Sequence, residues 1–273
     1  MRFPCISAKI AEDIKDAPSV EKPKNKILVV DGNYLMQKFF HARGHVFGSE
    51  IHNEIQGLLQ VLKLDKVIML FDSGRSSYRT AILPSYKGNR PDKDANMEDC
   101  FKKTRSYFLN RESPTLKVLR LKDTEADDLA SFICKNFKGK ADIYLYSIDH
   151  DWLQLLDEGI WQIRPDVKSG RNLVYSRKTA SQMLGYDVKK WPLLASFKGD
   201  PSDNVPSTGI RENTALRWLE KYSWSLPQIF MNEPKAKAKE ADIWRNYRLT
   251  KLDGSPCRFE EKELCDLSDF VLN

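Results

Sequence analysis

Three short apolar runs set the pattern of the chain, and a polar turn follows each of them. The runs cover residues 27–30, 67–71 and 143–148 and are rich in β-branched and aromatic side chains. Such runs are typical of strands that are buried on both faces of a parallel sheet. Helical periodicity follows the first run and returns over residues 126–137. This alternation predicts an α/β fold whose central, mostly parallel sheet is flanked by helices.

Each predicted strand is followed by an aspartate, namely Asp31, Asp72 or Asp149. The carboxyl ends of parallel strands share one edge of the sheet, where ligand sites of such folds lie. One such aspartate is readily explained as a helix cap or a turn residue. Three at equivalent positions favour a cluster of carboxylates at that edge.

Further acidic residues lie in short groups along the chain. Four acids fall within residues 123–128, two within 149–151 and two within 200–203. Acids in the first turn of a helix stabilise its dipole, but four exceed that need. Carboxylates that lie close together repel one another unless cations neutralise them. Divalent cations with oxygen ligands fit this set, and so many acids suit two Mg²⁺ ions, as in phosphodiester hydrolysis.

Composition narrows the functional class. The 273 residues carry 44 Lys and Arg against 38 Asp and Glu, a net charge of +6, and the basic residues concentrate at 75–105 and 235–251. Short clusters of acidic residues among basic ones are suited to metal-assisted chemistry on a polyanionic substrate. The scattered histidines and the five cysteines without a C-x-x-C pair disfavour zinc. Neither a secretory signal nor a membrane-length apolar run is present, so we expect a cytoplasmic protein with reduced thiols.

Five motifs in a fixed order resemble those of the 5′-nuclease family, which comprises flap endonucleases, bacteriophage 5′–3′ exonucleases and the 5′-nuclease domain of bacterial DNA polymerase I. The resemblance extends from about residue 27 to about residue 255, and a stand-alone, phage-type member is the expectation. The motifs cover residues 29–32, 86–90, 125–128, 149–155 and 199–206.

The resemblance implies a cluster that binds two Mg²⁺ ions, for which Mn²⁺ can substitute. Asp127 and Asp128 are implied as catalytic residues in addition to being metal ligands. The metal positions that it implies are Asp31, Asp72, Glu125, Asp127, Asp128, Asp149, Asp151, Asp200 and Asp203.

The family also implies roles for basic and aromatic residues. Lys87 and Arg90, three apart and expected on one helix face, would contact the scissile phosphate. Tyr86 would stack on a terminal base, and Lys38 matches a basic position near the substrate. The segment of about residues 86–122 would form a helical arch through which a single strand passes.

Residues 199–222 resemble a helix–three-turn–helix that grips the backbone of duplex DNA. This chain departs from the family pattern there, because it has only Gly209 before Ile210 and because Arg211 follows directly. Gly209 and Arg211 are the expected phosphate contacts. The departure argues against the monovalent-cation site that commonly bridges this hairpin to a phosphate. The family's glycine before the third-strand aspartate is also replaced, by Ile148.

We therefore expect an N-terminal arm over 1–25, a metal-binding nuclease core over 26–190 that includes the arch, and a helix–three-turn–helix subdomain with a C-terminal segment over 191–273. The implied function is Mg²⁺-dependent hydrolysis of phosphodiester bonds near single-strand/double-strand junctions in DNA replication or repair. It includes 5′–3′ exonuclease activity, 5′-flap endonuclease activity or both, with RNase H-type removal of RNA primers.

The implied substrates are 5′-flap, nicked or RNA-primed duplexes. The protein would act as a monomer in a bacterial or phage-infected cell, with a single-strand-binding protein or a clamp as a partner. Two alternatives stay open at this point. A PIN-like metal-dependent ribonuclease shares acidic strand ends over a similar sheet, but such domains usually lack a duplex-gripping element like residues 199–204. A catalytically inactive DNA-structure-binding module would be expected to lack some of the acids.

A first prediction concerns the paired aspartates of the third motif. The Asp127→Asn, Asp128→Asn double variant should cleave 5′-flap DNA at least about 100-fold more slowly, because loss of a bound ion removes several kcal/mol of transition-state stabilisation. Steady-state cleavage of a labelled flap measures this loss. The matched change of Glu12 to Gln and Asp13 to Asn in the N-terminal arm is the control, and undiminished cleavage by the first variant would refute the assignment.

Overall fold

The computed structural model describes residues 25–90, 94–166 and 171–273. The expected N-terminal arm over 1–25 therefore lies outside the described residues except for its last position. Within the described residues, no helix has both the length and the apolar character needed to cross a membrane. The four described cysteines, Cys100, Cys134, Cys257 and Cys265, are free thiols.

A six-stranded sheet in the order β3-β2-β1-β4-β5-β6 forms the centre of the fold. The first five strands pair in parallel, and β6 runs antiparallel to β5. This arrangement confirms the predicted α/β class with a mostly parallel sheet. The strands are β1 Lys26–Asp31, β2 Lys66–Leu70, β3 Leu116–Leu119, β4 Asp142–Tyr146, β5 Ile160–Asp166 and β6 Arg171–Tyr175.

Twelve α-helices occur in the described residues. The first five are α1 Gly32–Arg43, α2 Gly48–Leu62, α3 Ser77–Ile82, α4 Ala95–Leu109 and α5 Ala126–Phe137. The others are α6 Arg177–Leu184, α7 Trp191–Lys198, α8 Glu212–Lys221, α9 Leu226–Asn232, α10 Pro234–Lys237, α11 Glu240–Thr250 and α12 Glu261–Leu272. Short 3₁₀ helices cover Asp151–Leu155, Val188–Lys190 and Pro201–Asp203.

The central strand β1 explains why the chain forms three layers. Successive side chains of a strand point to opposite faces of a sheet. Ile27 and Val29 pack into a cluster with α5 and α12, whereas Leu28 and Val30 pack into another with α1, α2 and α4. All four are fully buried. The run is therefore continuous in apolar character because helices cover both of its faces.

A second, smaller core lies among helices α7 to α11. Phe197, Trp218, Leu219 and Ile243 are members of this cluster, which contains no residue of the sheet. The last helix, α12, belongs elsewhere, because its buried residues join the cluster beside α5 on the sheet. The C-terminal segment of the expected 191–273 subdomain thus returns to the nuclease core.

Most of the segment expected to form an arch packs on the sheet. Phe101 and Phe108 of α4 are 1% and 0% exposed and lie in the cluster beneath β1 and β2. Strand β3 extends the sheet by pairing with β2. Helix α4 and strand β3 thus belong to the layers of the sheet, and an arch within 86–122 stays a prediction. Phe101 and Phe108 anchor α4 to the core, because burial of their large apolar surface stabilises that packing.

A second prediction follows from the position of α12. Leu267→Ala should lower the free energy of unfolding by about 2–5 kcal/mol, because the side chain is fully buried against the sheet cluster. Leu264 lies on the exposed side of the same helix, so Leu264→Ala should change it by no more than about 0.5 kcal/mol. Urea unfolding followed by circular dichroism measures both. Equal effects of the two changes would show that α12 does not pack on the core.

Candidate active site

Three aspartates meet at one edge of the sheet because β2, β1 and β4 are adjacent parallel strands. Asp31 ends β1, Asp72 lies two residues beyond β2, and Asp149 lies three residues beyond β4. They are close enough to act on one another or on a common neighbour electrostatically. Burial raises the pKa of Asp31 above its ordinary value, and the charges of Asp127 and Asp72 raise it further.

Two of these aspartates also hold the local backbone. Asp31 caps α1, since its carboxylate accepts hydrogen bonds from the Tyr34 N–H at 2.9 Å and from the Ser147 hydroxyl at 3.0 Å. The Asp72 Oδ1 accepts a bond from the Ala126 N–H at 2.8 Å, at the start of α5. Capping and a place in the cluster are therefore compatible, and the caps fix the orientation of both carboxylates.

Asp127 is the electrostatic centre of the cluster. It lies in the first turn of α5, where its Oδ1 accepts a hydrogen bond from the Trp152 indole N–H at 2.7 Å. Its charge raises the pKa of each of five other acids, which are Asp31, Asp72, Asp128, Asp149 and Asp151. A single side chain thus connects carboxylates from three strand ends.

The acids at this edge hold protons unusually strongly. Burial, followed by nearby carboxylates, raises the pKa of Asp31 and of Asp151 to about 8. The same causes raise the pKa of Asp72 and of Asp149 to about 6. The Asp149 residue is exposed as a whole, and its Oδ1 accepts a hydrogen bond from the Asp151 N–H at 2.8 Å. Cations are the physical means of stabilising such a set in its charged form.

The smaller core delivers two further acids to the same cluster. Gly199 has a φ of 70° and is followed by Asp200, and a Cβ on Gly199 would lie 2.6 Å from backbone atoms of the following loop. Only glycine fits that conformation readily. Asp200 raises the pKa of Asp151, and Asp203 raises that of Asp149. Carboxylates about fifty positions apart in the chain therefore interact electrostatically.

Glu125 is buried, with 2% exposure, and three donors converge on one of its oxygens. Its Oε2 accepts hydrogen bonds from the Arg79 Nη1 at 3.2 Å and from the Tyr86 hydroxyl at 3.1 Å. The Lys87 ammonium lies 2.8 Å from the same oxygen. This oxygen is therefore neutralised by protein groups.

Asp128 has a different environment from that expected of a metal ligand. Its side chain is 1% exposed, and both of its oxygens accept hydrogen bonds from the Arg79 guanidinium, at 2.5 and 2.8 Å. A guanidinium fork of this kind satisfies a carboxylate bidentately. The structure therefore pairs Asp128 with Arg79, whereas the sequence suggests a catalytic and metal-binding role.

Lys87 and Arg90 converge on the cluster from a turn rather than from the expected helix. Lys87 has a φ of 54°, and its N–H donates to the Asp203 carbonyl at 2.8 Å. The Arg90 guanidinium pairs with the Asp203 carboxylate. Burial opposes the charge on Lys87, but the carboxylates of Glu125 and Asp203 outweigh it and raise the pKa of the ammonium. Both cations are thus positioned at the acids.

Tyr86 does not present its ring for base stacking in this structure. The residue is 3% exposed, and its ring belongs to a small buried cluster with Val205 and Leu249. Its hydroxyl lies 3.1 Å from a Glu125 oxygen and 2.9 Å from an Asp203 oxygen, so its single proton is shared between two acceptors. In this structure Tyr86 links two acids, and its stacking on a terminal base stays a prediction.

The remaining candidates lie outside the carboxylate cluster. The Lys38 ammonium is bound at 2.8 Å by both oxygens of Glu54. Gly209, with a φ of 78°, and Arg211, which precedes α8, are both exposed. They lie in the loop between α7 and α8, at the position predicted for the DNA-binding hairpin.

The chemistry of the donors fits hard divalent cations. Within 25–90, 94–166 and 171–273, no group of three or more acidic, histidine or cysteine side chains is already arranged around a common metal position. Two acids of the cluster are paired with cations of the protein, Glu125 with Lys87 and Asp203 with Arg90. Carboxylate oxygens are the ligands that Mg²⁺ and Mn²⁺ prefer, and the raised pKa values show that added positive charge would stabilise the set.

Residues 26–185 match the model of the 5′–3′ exonuclease family, in its N-terminal resolvase-like domain. The chain belongs to this family. Membership confirms the predicted family, the predicted α/β fold and the predicted enzyme class, a 5′–3′ nuclease.

Relatives of two sizes match the chain. A 5′–3′ exonuclease of Buchnera aphidicola is 28% identical over 250 residues, which cover 83% of each protein. DNA polymerase I of Mycobacterium bovis is 26% identical over 245 residues, which cover 84% of this chain but 26% of the polymerase. The chain therefore spans about a quarter of the length of such polymerases.

Solved structures with the same fold come from bacteriophage T5. The T5 5′-exonuclease with bound zinc ions has a TM-score of 0.76 and 23% identity, over 90% of this chain and 98% of that one. The T5 flap endonuclease in a complex with DNA and metal ions has a TM-score of 0.75 and 22% identity, over the same shares. These likenesses show that the fold is shared.

Sequence reasoning missed the side chains that position the acids in this family member. Arg79, Trp152, Trp191 and Ser147 each donate to a carboxylate of the cluster or beside it; the Trp191 indole N–H, for example, donates to Asp151 at 2.7 Å. Trp152 stands next to an acid in the sequence, which is a weak signal. Arg79 lies among polar residues without periodicity, so no local pattern indicates that it is buried.

A third prediction concerns pH. The folded-state pKa values of about 6 and about 8 exceed the ordinary value of 3.8. The stability that these neutral acids contribute is therefore full below about pH 4 and is lost as the pH rises through about 6 and then about 8. In EDTA the unfolding temperature should fall between about pH 5 and about pH 9. Differential scanning calorimetry measures it.

Two comparisons complete that experiment. Addition of Mg²⁺ at about pH 8 should recover unfolding temperature, because cations stabilise the charged acids. Asp31→Asn should flatten the pH dependence, because it removes a proton-binding group with a pKa of about 8. An unfolding temperature in EDTA that rises over this range would contradict the electrostatic description of the cluster.

Proposed function

We propose that this chain is a structure-specific 5′ nuclease that hydrolyses phosphodiester bonds near single-strand/double-strand junctions in DNA, with two Mg²⁺ ions as cofactors. The observation that carries the proposal is the convergence of strand-end carboxylates with Lys87 and Arg90 at one edge of the sheet. Acids without cations there would only destabilise the fold, whereas acids beside paired Lys and Arg side chains suit a phosphate substrate.

The residues divide into those that hold cations and those that hold the substrate. Asp31, Asp72, Glu125, Asp127, Asp149 and Asp151 would hold the two ions, with Asp200 and Asp203 nearby. Bound divalent ions supply two effects, a lower pKa for an attacking water and a clamp on the displacement at phosphorus. The cluster contains enough carboxylates for two ions, each of which needs few of them besides waters and phosphate oxygens.

Lys87 and Arg90 would act on the scissile phosphate. In the structure both are paired with carboxylates, the ammonium with Glu125 and the guanidinium with Asp203. When divalent ions neutralise those carboxylates, the two cations become available for a phosphate. Donors placed where charge develops stabilise the transition state, with Arg able to bind in a bidentate manner and Lys as a point charge.

Duplex DNA would lie along the smaller core. Gly209 and Arg211 are exposed in the loop before α8, and the N-terminus of a helix offers free backbone N–H groups to a phosphate. The T5 flap endonuclease of the same fold has been solved with DNA and metal ions, which supports DNA as the substrate. Substrates would include 5′ flaps, nicks and RNA-primed ends, and the chain would act as a monomer beside a single-strand-binding protein or a clamp.

The deciding experiment is cleavage of a 5′-labelled flap and of a nicked duplex, with Mg²⁺ and with EDTA. Mg²⁺-dependent release of a product of flap length would establish endonuclease action at the junction. Mononucleotides alone from both substrates would establish a 5′–3′ exonuclease. A single-stranded RNA arm tests the PIN-like ribonuclease alternative, and flap binding without any cleavage would refute the proposed catalysis.

A fourth prediction concerns Lys87. Lys87→Met should reduce the turnover of flap cleavage by about 10²- to 10³-fold, because one charged donor to the reacting phosphate is lost. Binding of the flap in Ca²⁺ or EDTA should change little. Lys103→Met on α4 is the matched control, since that ammonium is exposed and pairs with Asp99. A proportionate loss of binding and turnover would instead place Lys87 in general DNA attraction.

A further inference from the structure

Arg79 is a buried cation to which the proposed reaction assigns no contact with the substrate. It lies on α3, is 2% exposed and is surrounded by acceptors from two other helices. Its Nη1 and Nη2 bind Asp128 of α5, its Nη1 also binds Glu125 at 3.2 Å, and its Nε donates to the Leu249 carbonyl of α11 at 3.1 Å. One guanidinium therefore joins three helices.

Arg79 belongs to a network of largely buried charges. Its guanidinium and the Lys87 ammonium, which is 11% exposed, face the buried anions Glu125 and Asp128. The Asp203 carboxylate lies 3.8 Å from the same ammonium. Burial disfavours the charged guanidinium, but the adjoining carboxylates outweigh it and raise the pKa of Arg79 well above its ordinary value. A buried ion pair is nevertheless no more stabilising than well-packed apolar residues of the same volume. Stability alone therefore does not explain this arrangement. Control over the orientation of the Glu125 carboxylate does.

The Glu125 carboxylate is the group that these donors orient. Arg79, Tyr86 and Lys87 all bind the same oxygen, Oε2. Lys87 would turn to the phosphate in the proposed reaction, which leaves Arg79 and Tyr86 to hold that oxygen. With Oε2 held from one side, Oε1 has a fixed direction. Partners of this kind, which bind a ligand rather than the metal, commonly set metal affinity.

We propose that Arg79 is a positioning residue that holds Glu125 in the orientation required for divalent-ion binding, and that Asp128 is the anchor of Arg79 and not a metal ligand. The inference rests on the proposed function in that it takes the carboxylate cluster to be the metal site. The bond to the Leu249 carbonyl places the same guanidinium at the end of α11, which belongs to the smaller core. Arg79 thus fixes the position of the carboxylate cluster relative to the helices that would hold duplex DNA.

The test replaces the whole pair, so that no buried charge is left unpaired. The Arg79→Met, Asp128→Leu double variant should fold, since a buried ion pair can be exchanged for apolar residues of similar size. It should bind flap DNA in EDTA within about twofold of the original chain. Its Mn²⁺ affinity, measured by titration calorimetry, should be about 10- to 100-fold weaker, and its turnover lower by a similar factor.

The chain offers a matched control in a second guanidinium fork. Arg177 binds both oxygens of Asp187 at 3.1 and 2.6 Å, in a half-exposed position at the start of α6. The Arg177→Met, Asp187→Leu double variant should leave Mn²⁺ affinity and turnover within about twofold. If the Arg79 pair variant behaves like this control, Arg79 does not position the metal site.

A single substitution decides the role of Asp128 even if the double variant does not fold. Asp128→Asn keeps one acceptor for Arg79, so Mn²⁺ affinity should stay within about threefold, whereas Asp127→Asn should weaken it by about 10-fold or more. Equal weakening by both would make Asp128 a ligand and overturn the inference. Mn²⁺ titration needs no cleavage, so an unaltered chain that binds Mn²⁺ but cuts no flap would refute the proposed function and leave Arg79 testable.

Discussion

Repulsion among carboxylates is the constraint on which the rest of this structure depends. The parallel sheet brings Asp31, Asp72 and Asp149 to one edge, where burial raises their pKa values. Such a set is stable only if protons or cations neutralise it. Within the fold, Lys87 takes part of that role, since its charge lowers the pKa of Asp72 and of Asp149, and Arg79 neutralises the neighbouring Asp128. The site can therefore exist without divalent ions and is electrostatically prepared to accept them.

The sheet and the smaller core are joined through contacts that neutralise one of these carboxylates. Asp203 belongs to a short 3₁₀ helix beside the smaller core, yet Tyr86, Lys87 and Arg90 all bind it. The turn that carries these three side chains thus bridges the sheet edge and the helices beyond residue 190. Any movement of Asp203 would alter how Lys87 is held, so the helices beyond residue 190 and the carboxylate cluster are physically connected.

Burial separates the observed environments of several aromatic residues from those that the local sequence indicates. Tyr86 lies beside basic residues in the sequence and so indicates a surface role, yet it packs among Val205 and Leu249, which come from distant parts of the chain. Phe101 and Phe108 lie in a basic segment but fill the layer beneath the sheet. Local sequence cannot distinguish an aromatic side chain that faces DNA from one that faces the core.

The sequence by itself determined the parallel sheet and the acids at its edge, because buried strands need continuous apolar runs and the residue after each strand necessarily lies at that edge. Ordered motifs determined the family. Tertiary structure alone decided how the acids are neutralised. Arg79 contacts Asp128 and Leu249 across 49 and 170 positions of chain, and such contacts leave no periodic signal. Which carboxylate oxygens stay available to cations therefore depends on packing between distant helices.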